Sequence, residues 1–383
     1  MGDLRSKYIA VRSYTEAICE PLETEDYVVQ PTPDVSPPKW HLAHTTWFWE
    51  EFVLARYKQG YKRFHDDYSY LFNSYYDHAG DRIMRIHRGN MSRPTVNEIK
   101  QYRAYADDHM ADFLQQPDER LAGLIETGLN HEQQHQELLY TDIKYILGHN
   151  PLFPAYRKDF AETTLTDTDH HFTAMKLDMY PIGHRSPGFS YDNEHASHCV
   201  FLQPYAIRKS LVTNGEYLQF MNDGGYNNSL LWPGDGWDWV RTNKIDCPLY
   251  WHNKDSKWYC FTLSGLKPVN EKEPVTHISF YEAAAFAAWT GMRLPTEFEW
   301  EAASDHFIWG QRWEHTNSAY LPYPGYVKPQ GALGEYNGKF MINQMVLRGA
   351  SAVTPEGHSR KTYRNFFYPH QRWQFNGIRL CKN

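Results

Sequence analysis

The chain has 383 residues, of which 41% are hydrophobic and 22% charged, and its formal net charge is −7. This is globular material long enough for two domains, which excludes a disordered chain, and a negative balance without a long basic run leaves a nucleic-acid role without electrostatic support. Five scattered cysteines (Cys19, Cys199, Cys247, Cys260, Cys381) show no CxxC spacing, which argues for a reducing compartment and against a disulfide framework.

No apolar signal core is legible near Met1, and no stretch is long enough to span a bilayer. A cytoplasmic, monomeric protein with neither membrane nor nucleic-acid partners is expected. Ser36 followed by Pro37 predicts an N-cap and a first helical position. The helix they open runs through KWHLAHTTWFWEEFVLARY, where Trp40, His44, Trp47, Phe48, Glu51 and Phe52 follow helical spacing with a heavy aromatic face. Residues 61–93 show no clean period and form a long connection, which in a compact domain is usually functional. Pro94 opens a helix to about Gln116, and Pro117 opens another that Gly148 and Pro151 stop. Helices joined in this way predict an antiparallel bundle.

Beyond about residue 160 the texture changes: Gly, Pro, Asn, Trp and Tyr become dense and apolar runs short. Capping boxes announce three helices, at Thr213/Glu216, Ser279/Glu282 and Thr296/Glu299. The second ends at Gly291, a good C′ residue. Loops and short strands such as MVLRGASAV lie around them, so this half is α+β.

In the helix expected after Pro117, the stripe Leu121, Leu124, Gly128, His131, His135, Leu138, Asp142 faces the bundle core. Two imidazoles buried among leucines need partners. Backbone or carboxylate hydrogen bonds are one answer; a metal is another, since neutral imidazole is its commonest side-chain ligand. His44, on the aromatic face of the first helix, points into the same bundle, where metal sites are built from facing helices. His41 competes with it for the third-ligand role or stands behind the ligands. Three protein ligands leave open positions, the mark of a catalytic site. HEQQH also fits the zinc-peptidase pattern with Glu132 as base, but the metzincin extension would need glycine and histidine where Leu138 and Thr141 stand.

SPPKWHLAHTTWFWEEF together with HEQQHQELLYTDIKYILGHNP resembles the DinB-like four-helix domain of the ergothioneine-pathway sulfoxide synthases, the EgtB family. YPIG, AIRKSLVTNGEYLQFMNDGGY, PVTHISFYEAAAFAAWTGMRLPTEFEWEAAS, WEHTNSAY, VLRGAS and FNGIRL resemble the formylglycine-generating-enzyme/sulfatase-modifying domain, a C-type-lectin-like fold. The implied architecture is multidomain, α then α+β. A DinB-like bundle over 1–155 carries the metal ligands, and a formylglycine-generating-enzyme-like domain over 156–383 completes the substrate pocket. Formylglycine generation itself is not expected, because RGASAV lacks the copper-binding cysteine.

The resemblance implies a non-haem Fe(II) site at His44, His131 and His135, and a reaction that joins a thiol sulfur to C2 of the hercynine imidazole with O2, giving a sulfoxide. The H-x3-H-x-E motif ends at Glu137, which lies about 200° around the helix from His135 and reads as a group behind the ligands or, on spacing, as solvated surface. The family pattern makes Gln134 a contact to the substrate imidazole with Asn365 as its partner, though by itself Asn365 reads as a loop-capping amide. It also places Phe366 near the trimethylammonium, where an aromatic face suits a quaternary cation. A Tyr pair in the connection, Tyr75 and Tyr76, is the expected proton and electron donor. Members that use γ-glutamylcysteine carry Asp and Arg where this chain has Phe367 and Gln371, so free L-cysteine is the expected sulfur donor. Its carboxylate needs a cation, and DRIMRIHRGNMSR offers Arg82, Arg85 and Arg88, with Arg85 the first choice and Arg82 the next. The alternatives are a related synthase with another substrate pair (γ-glutamylcysteine, histidine plus cysteine, or a selenium donor with hercynine) or a zinc- and thiol-dependent DinB-type transferase.

Overall fold

The computed structural model describes residues 4–74, 81–116, 118–163, 169–329 and 337–383. They gather into two compact units. One holds the described residues through Lys158 together with Thr354–His358; the other holds those from Asp159 to Pro329 with Asn337–Val353 and Ser359–Asn383.

The first unit is helical: α1 (Leu4–Cys19), α2 (Pro38–Trp49), the short α3 (Ala55–Tyr57) and α4 (Tyr68–Leu71), then α5 (Val96–Phe113) and α6 (Ala122–Gly148). The four long helices form a bundle in which α1 packs on α6, and α2 on both α5 and α6. Every residue of α2 is buried, the signature of a helix enclosed on all sides. It begins one residue later than the sequence predicts, with Pro38 at its first position and no side-chain cap. Ser36 does other work: its N–H donates to Asp142 Oδ2 and its hydroxyl accepts from Arg88. The α2 chain continues through a π-helical turn, Glu50–Leu54. α5 is opened not by Pro94 but by a capping box between Thr95 and Glu98. Pro117, expected to open α6, lies outside the described residues; a 3₁₀ turn, Glu119–Leu121, leads into the helix, which ends at Gly148. Of the predicted α6 stripe, Leu124 and Leu138 are only half-buried while the other five positions are buried. α2 and α6 cross closely at Gly128, where an added Cβ would lie 2.5 Å from Trp49 Cη2 and 2.8 Å from Phe48 Cε1.

The second unit carries twelve short strands among its described residues: β1 (Phe172–Met175), β2 (Asp178–Ile182), β3 (His198–Leu202), β4 (Tyr205–Arg208), β5 (Trp251–Lys254), β6 (Lys257–Thr262), β7 (Gly265–Pro268), β8 (Trp313–Ala319), β9 (Met345–Gly349), β10 (Asn365–Phe367), β11 (Asn376–Gly377) and β12 (Cys381–Lys382). They pair as β1-β4-β12, β2-β3, β5-β6-β7 and β10-β9-β8-β11. Helices α7 (Asn214–Asn222), α9 (Phe280–Trp289) and α10 (Glu297–Ala303) each start on the capping box read from the sequence, with α8 (Gly234–Asn243) between the first two. Gly291 follows α9 at φ +69°, the left-handed conformation a helix stop needs. An aromatic core of Tyr217, Phe220, Tyr226 and Phe286 fills the space between α7 and α9. Buried arginine–carboxylate forks brace the sheets: Glu297 accepts from Arg364 Nε and Nη2 at 2.8 and 2.9 Å, and Glu314 from Arg379 at 2.6 and 2.8 Å.

Candidate metal centre

α2 and α6 deliver three imidazoles to one point. His44, His131 and His135 are 0, 1 and 8% exposed, their ring centroids lie 4.7–5.0 Å apart, and one ligand atom from each falls within 4.8 Å of the others. On α6 the pair is brought together by its four-residue spacing. Aromatic neighbours on α2 hold two of the rings. His44 is stacked between Trp40 (4.5 Å, 13°) and Trp47 (5.4 Å, 15°), and His131 lies on Phe48 (4.7 Å, 28°).

The hydrogen bonds assign the nitrogens. His44 Nδ1–H donates to the Phe72 carbonyl at 2.6 Å. The lone pair is therefore on Nε2, which is buried and meets no hydrogen-bond partner among the described residues, an arrangement that is costly in a metal-free core. His135 Nδ1 is 2.9 Å from His41 Nδ1, and His41 Nε2 is 2.9 Å from Asp142 Oδ2. His41 thus stands behind His135 and is not itself one of the three converging ligands.

Burial lowers all three pKa values: His131 falls to about 3, and His44 and His135 fall well below the ordinary value, each further depressed by its histidine neighbours. They are neutral at physiological pH, the form that binds a metal. A set of three neutral imidazoles fits a divalent first-row metal such as iron, zinc, copper or nickel, and leaves coordination positions open.

The two glutamates of the motif have other employment. Glu132 is fully buried and accepts from Arg12 (3.1 Å), Arg103 (2.8 Å), Thr15 (2.8 Å) and Trp49 Nε1 (3.0 Å). Although burial opposes its charge, these cations and hydrogen bonds hold it well below the usual carboxylate range. It is a structural anion and has no freedom to act as a peptidase base. Glu137 is not solvated surface as its spacing suggested. It is 9% exposed and accepts from Thr354 Oγ1 at 2.8 Å, a residue 217 positions away that packs in the same unit.

Residues 7–139 match the DinB superfamily, and residues 167–306 match the Sulfatase-modifying factor enzyme 1-like domain. The chain is 28% identical over 309 residues to the hercynine oxygenase of Mycolicibacterium smegmatis, covering 66% of this chain and 70% of that one. It is 27% identical over 327 residues to that of Mycobacterium tuberculosis (73% and 75%) and 25% over 308 residues to that of Mycolicibacterium thermoresistibile (66% and 67%). The two domain matches and these relatives together support the hercynine oxygenase (EgtB) family.

The remaining family positions fall as follows. Gln134 is half-buried on α6, between His131 and His135 in sequence. Asn365 and Phe366 lie on β10, paired with Leu347 and Val346 of β9. Asn365 is a strand residue, not a loop cap; its Oδ1 accepts from the Phe366 N–H at 3.0 Å. Phe366 stacks on Tyr320 (4.0 Å, 11°) and on Phe340. Gln371 is buried and its Oε1 accepts from Tyr368 N–H, closing a turn. Tyr75 and Tyr76 lie outside the described residues.

The three arginines of the run differ in burial. Arg82 and Arg85 are exposed and donate to backbone carbonyls, of Ser74 and Asp34 respectively. Arg88 is 4% exposed, lies 3.4 Å from the Trp40 ring centroid, and among the described residues donates to the hydroxyls of Ser36 (2.8 Å) and Ser74 (3.1 Å). Its charge reaches the centre, lowering the pKa of both His44 and His135. The spacing in DRIMRIHR makes the three arginines look equivalent, so this distinction had no signal in the sequence.

Proposed function

We propose that this protein is an iron(II)- and O2-dependent sulfoxide synthase of ergothioneine biosynthesis, forming a C–S bond between L-cysteine and C2 of the hercynine imidazole. The observation that carries the reading is the convergence of three buried neutral imidazoles, His44, His131 and His135, in a chain of this family. Loss of the C2 hydrogen and the thiol hydrogen, gain of one oxygen and release of one water balance one O2, so no outside reductant is needed. Bound iron would supply the four-electron activation of O2 and a seat for the thiolate.

The chain's own groups then have defined tasks. His44 presents Nε2 because Phe72 holds its Nδ1–H. Arg88, a buried cation among neutral partners, takes the cysteine carboxylate in preference to the exposed Arg82 and Arg85, since a buried charge gains most from an ionic partner. Gln134 and Asn365 are assigned to the hercynine imidazole, Phe366 to its trimethylammonium, and Tyr75 and Tyr76 to proton and electron delivery, as the family pattern implies. Phe367 and the turn-closing Gln371 offer no charged grip for a glutamyl group, which supports cysteine over γ-glutamylcysteine.

The test is anaerobic reconstitution with Fe(II), followed by O2, hercynine and cysteine, with mass spectrometry for a product heavier than the two substrates by one oxygen less two hydrogens. Faster turnover of γ-glutamylcysteine would reject the donor assignment. Zinc as the bound metal with thiol transfer and no O2 uptake would replace the synthase by a transferase.

A further inference from the structure

His135, His41 and Asp142 form a chain of three side chains that links α6 to α2. Asp142 is 2% exposed. Its Oδ2 accepts from the Ser36 N–H at 2.9 Å, just ahead of α2, and lies 2.9 Å from His41 Nε2 on α2 itself. Asp142 sits on α6, two turns beyond His135. A carboxylate that already receives a backbone N–H is an acceptor, so His41 carries its proton on Nε2 and a lone pair on Nδ1. Among the described residues, the nitrogen that faces that lone pair is His135 Nδ1, at 2.9 Å. Two ring nitrogens so close must be one donor and one acceptor, which puts the His135 proton on Nδ1 and its lone pair on Nε2.

We propose that His41 and Asp142 are positioning residues: together they select the Nε2 tautomer of His135, aim that nitrogen at the metal, and clamp α2 to α6 in the register that brings His44 to the same point. His44 has its tautomer set by a neutral peptide carbonyl, whereas His135 is backed by a full negative charge through an intervening imidazole. That makes His135 the more strongly donating of these two ligands, because a carboxylate behind a ligating histidine raises its basicity and fixes its ring. The role presupposes the metal site proposed above, but the tautomers do not.

Two measurements separate these layers. In the metal-free protein labelled with 15N-histidine, long-range 1H–15N correlations should show His41 protonated on Nε2 and His135 on Nδ1; the opposite pattern in either ring overturns the proposal. Metal affinity is then read by Co(II) titration against a chromogenic chelator. His41→Leu removes the acceptor and should weaken binding about 10–100-fold. His41→Gln keeps an amide oxygen for His135 and an N–H for Asp142, and should bind within a few-fold of the wild type. Equal affinity for wild type and His41→Leu, or a His41→Gln variant as weak as His41→Leu, overturns the positioning role. If His41→Leu does not fold, the tautomer spectrum and His41→Gln still decide. A wild type that binds no metal while showing the expected tautomers would reject the metal reading and leave the hydrogen-bond assignment standing.

Discussion

The guanidinium of Arg88 lies 3.4 Å from the centre of the Trp40 indole, and Trp40 in turn stacks at 4.5 Å on His44. A cation is therefore held two rings from the proposed metal, and among the described residues no carboxylate hydrogen-bonds to it: burial and the nearby Arg85 and Arg82 work against its charge, and Asp142 supports it at a distance.

Arg88→Gln is expected to raise the KM for cysteine about 10–100-fold, the loss of one hydrogen-bonded charge pair at about 1.5–3 kcal/mol, with the KM for hercynine little changed. Arg82→Ala and Arg85→Ala should leave both constants close to wild type. Steady-state O2 uptake at varied cysteine measures this; an equal effect from Arg85→Ala would return the carboxylate to that residue.

Acid should weaken the metal-free fold through its buried imidazoles. His131 titrates at about 3 in the folded state and near 6.5 when unfolded, and His44, His135 and His41 are shifted in the same direction. Above about 6.5 both states are neutral and nothing is gained or lost. Below it the unfolded chain binds protons that the folded one refuses, at about 1.4 kcal/mol per pH unit for each such histidine. Denaturant midpoints should therefore fall steadily as pH drops from 6.5 toward 4, and His131→Phe should flatten the slope.

Gly128→Ala is expected to be destabilising although alanine is the better helix former. The propensity gain is about 1 kcal/mol. The new methyl would meet Trp49 and Phe48 at 2.5 and 2.8 Å, and both rings are fully buried, so overpacking of about 1–3 kcal/mol outweighs it. Because Phe48 carries His131, Co(II) affinity should drop together with the denaturation midpoint; a change in neither would mean the helices part easily there.

Glu132→Gln should cost about 3–5 kcal/mol of stability, the penalty for breaking a buried ion pair by removing one partner, because Arg12 and Arg103 would remain enclosed beside a neutral amide. Metal content per folded molecule should stay at the wild-type level. A stably folded Glu132→Gln with altered chemistry would instead return this carboxylate to the reaction.

What the sequence determined by itself is local. The boxes at Thr213, Ser279 and Thr296 close within four residues, so propensity and side-chain reach settle them without the rest of the fold. The same holds for the HxxxH pair on α6, which helical periodicity alone puts on one face, and nearly so for His44, which the aromatic face of α2 directs inward. The tertiary structure decided everything that depends on partners far along the chain. Asp142 reaches His41 across 101 positions, Glu137 reaches Thr354 across 217, and Ser36 is drawn from capping its helix by Asp142 and Arg88. Polar side chains buried in a core must satisfy each other, and which of several similar groups is buried, as with Arg88 over Arg82 and Arg85, follows only from how the helices pack.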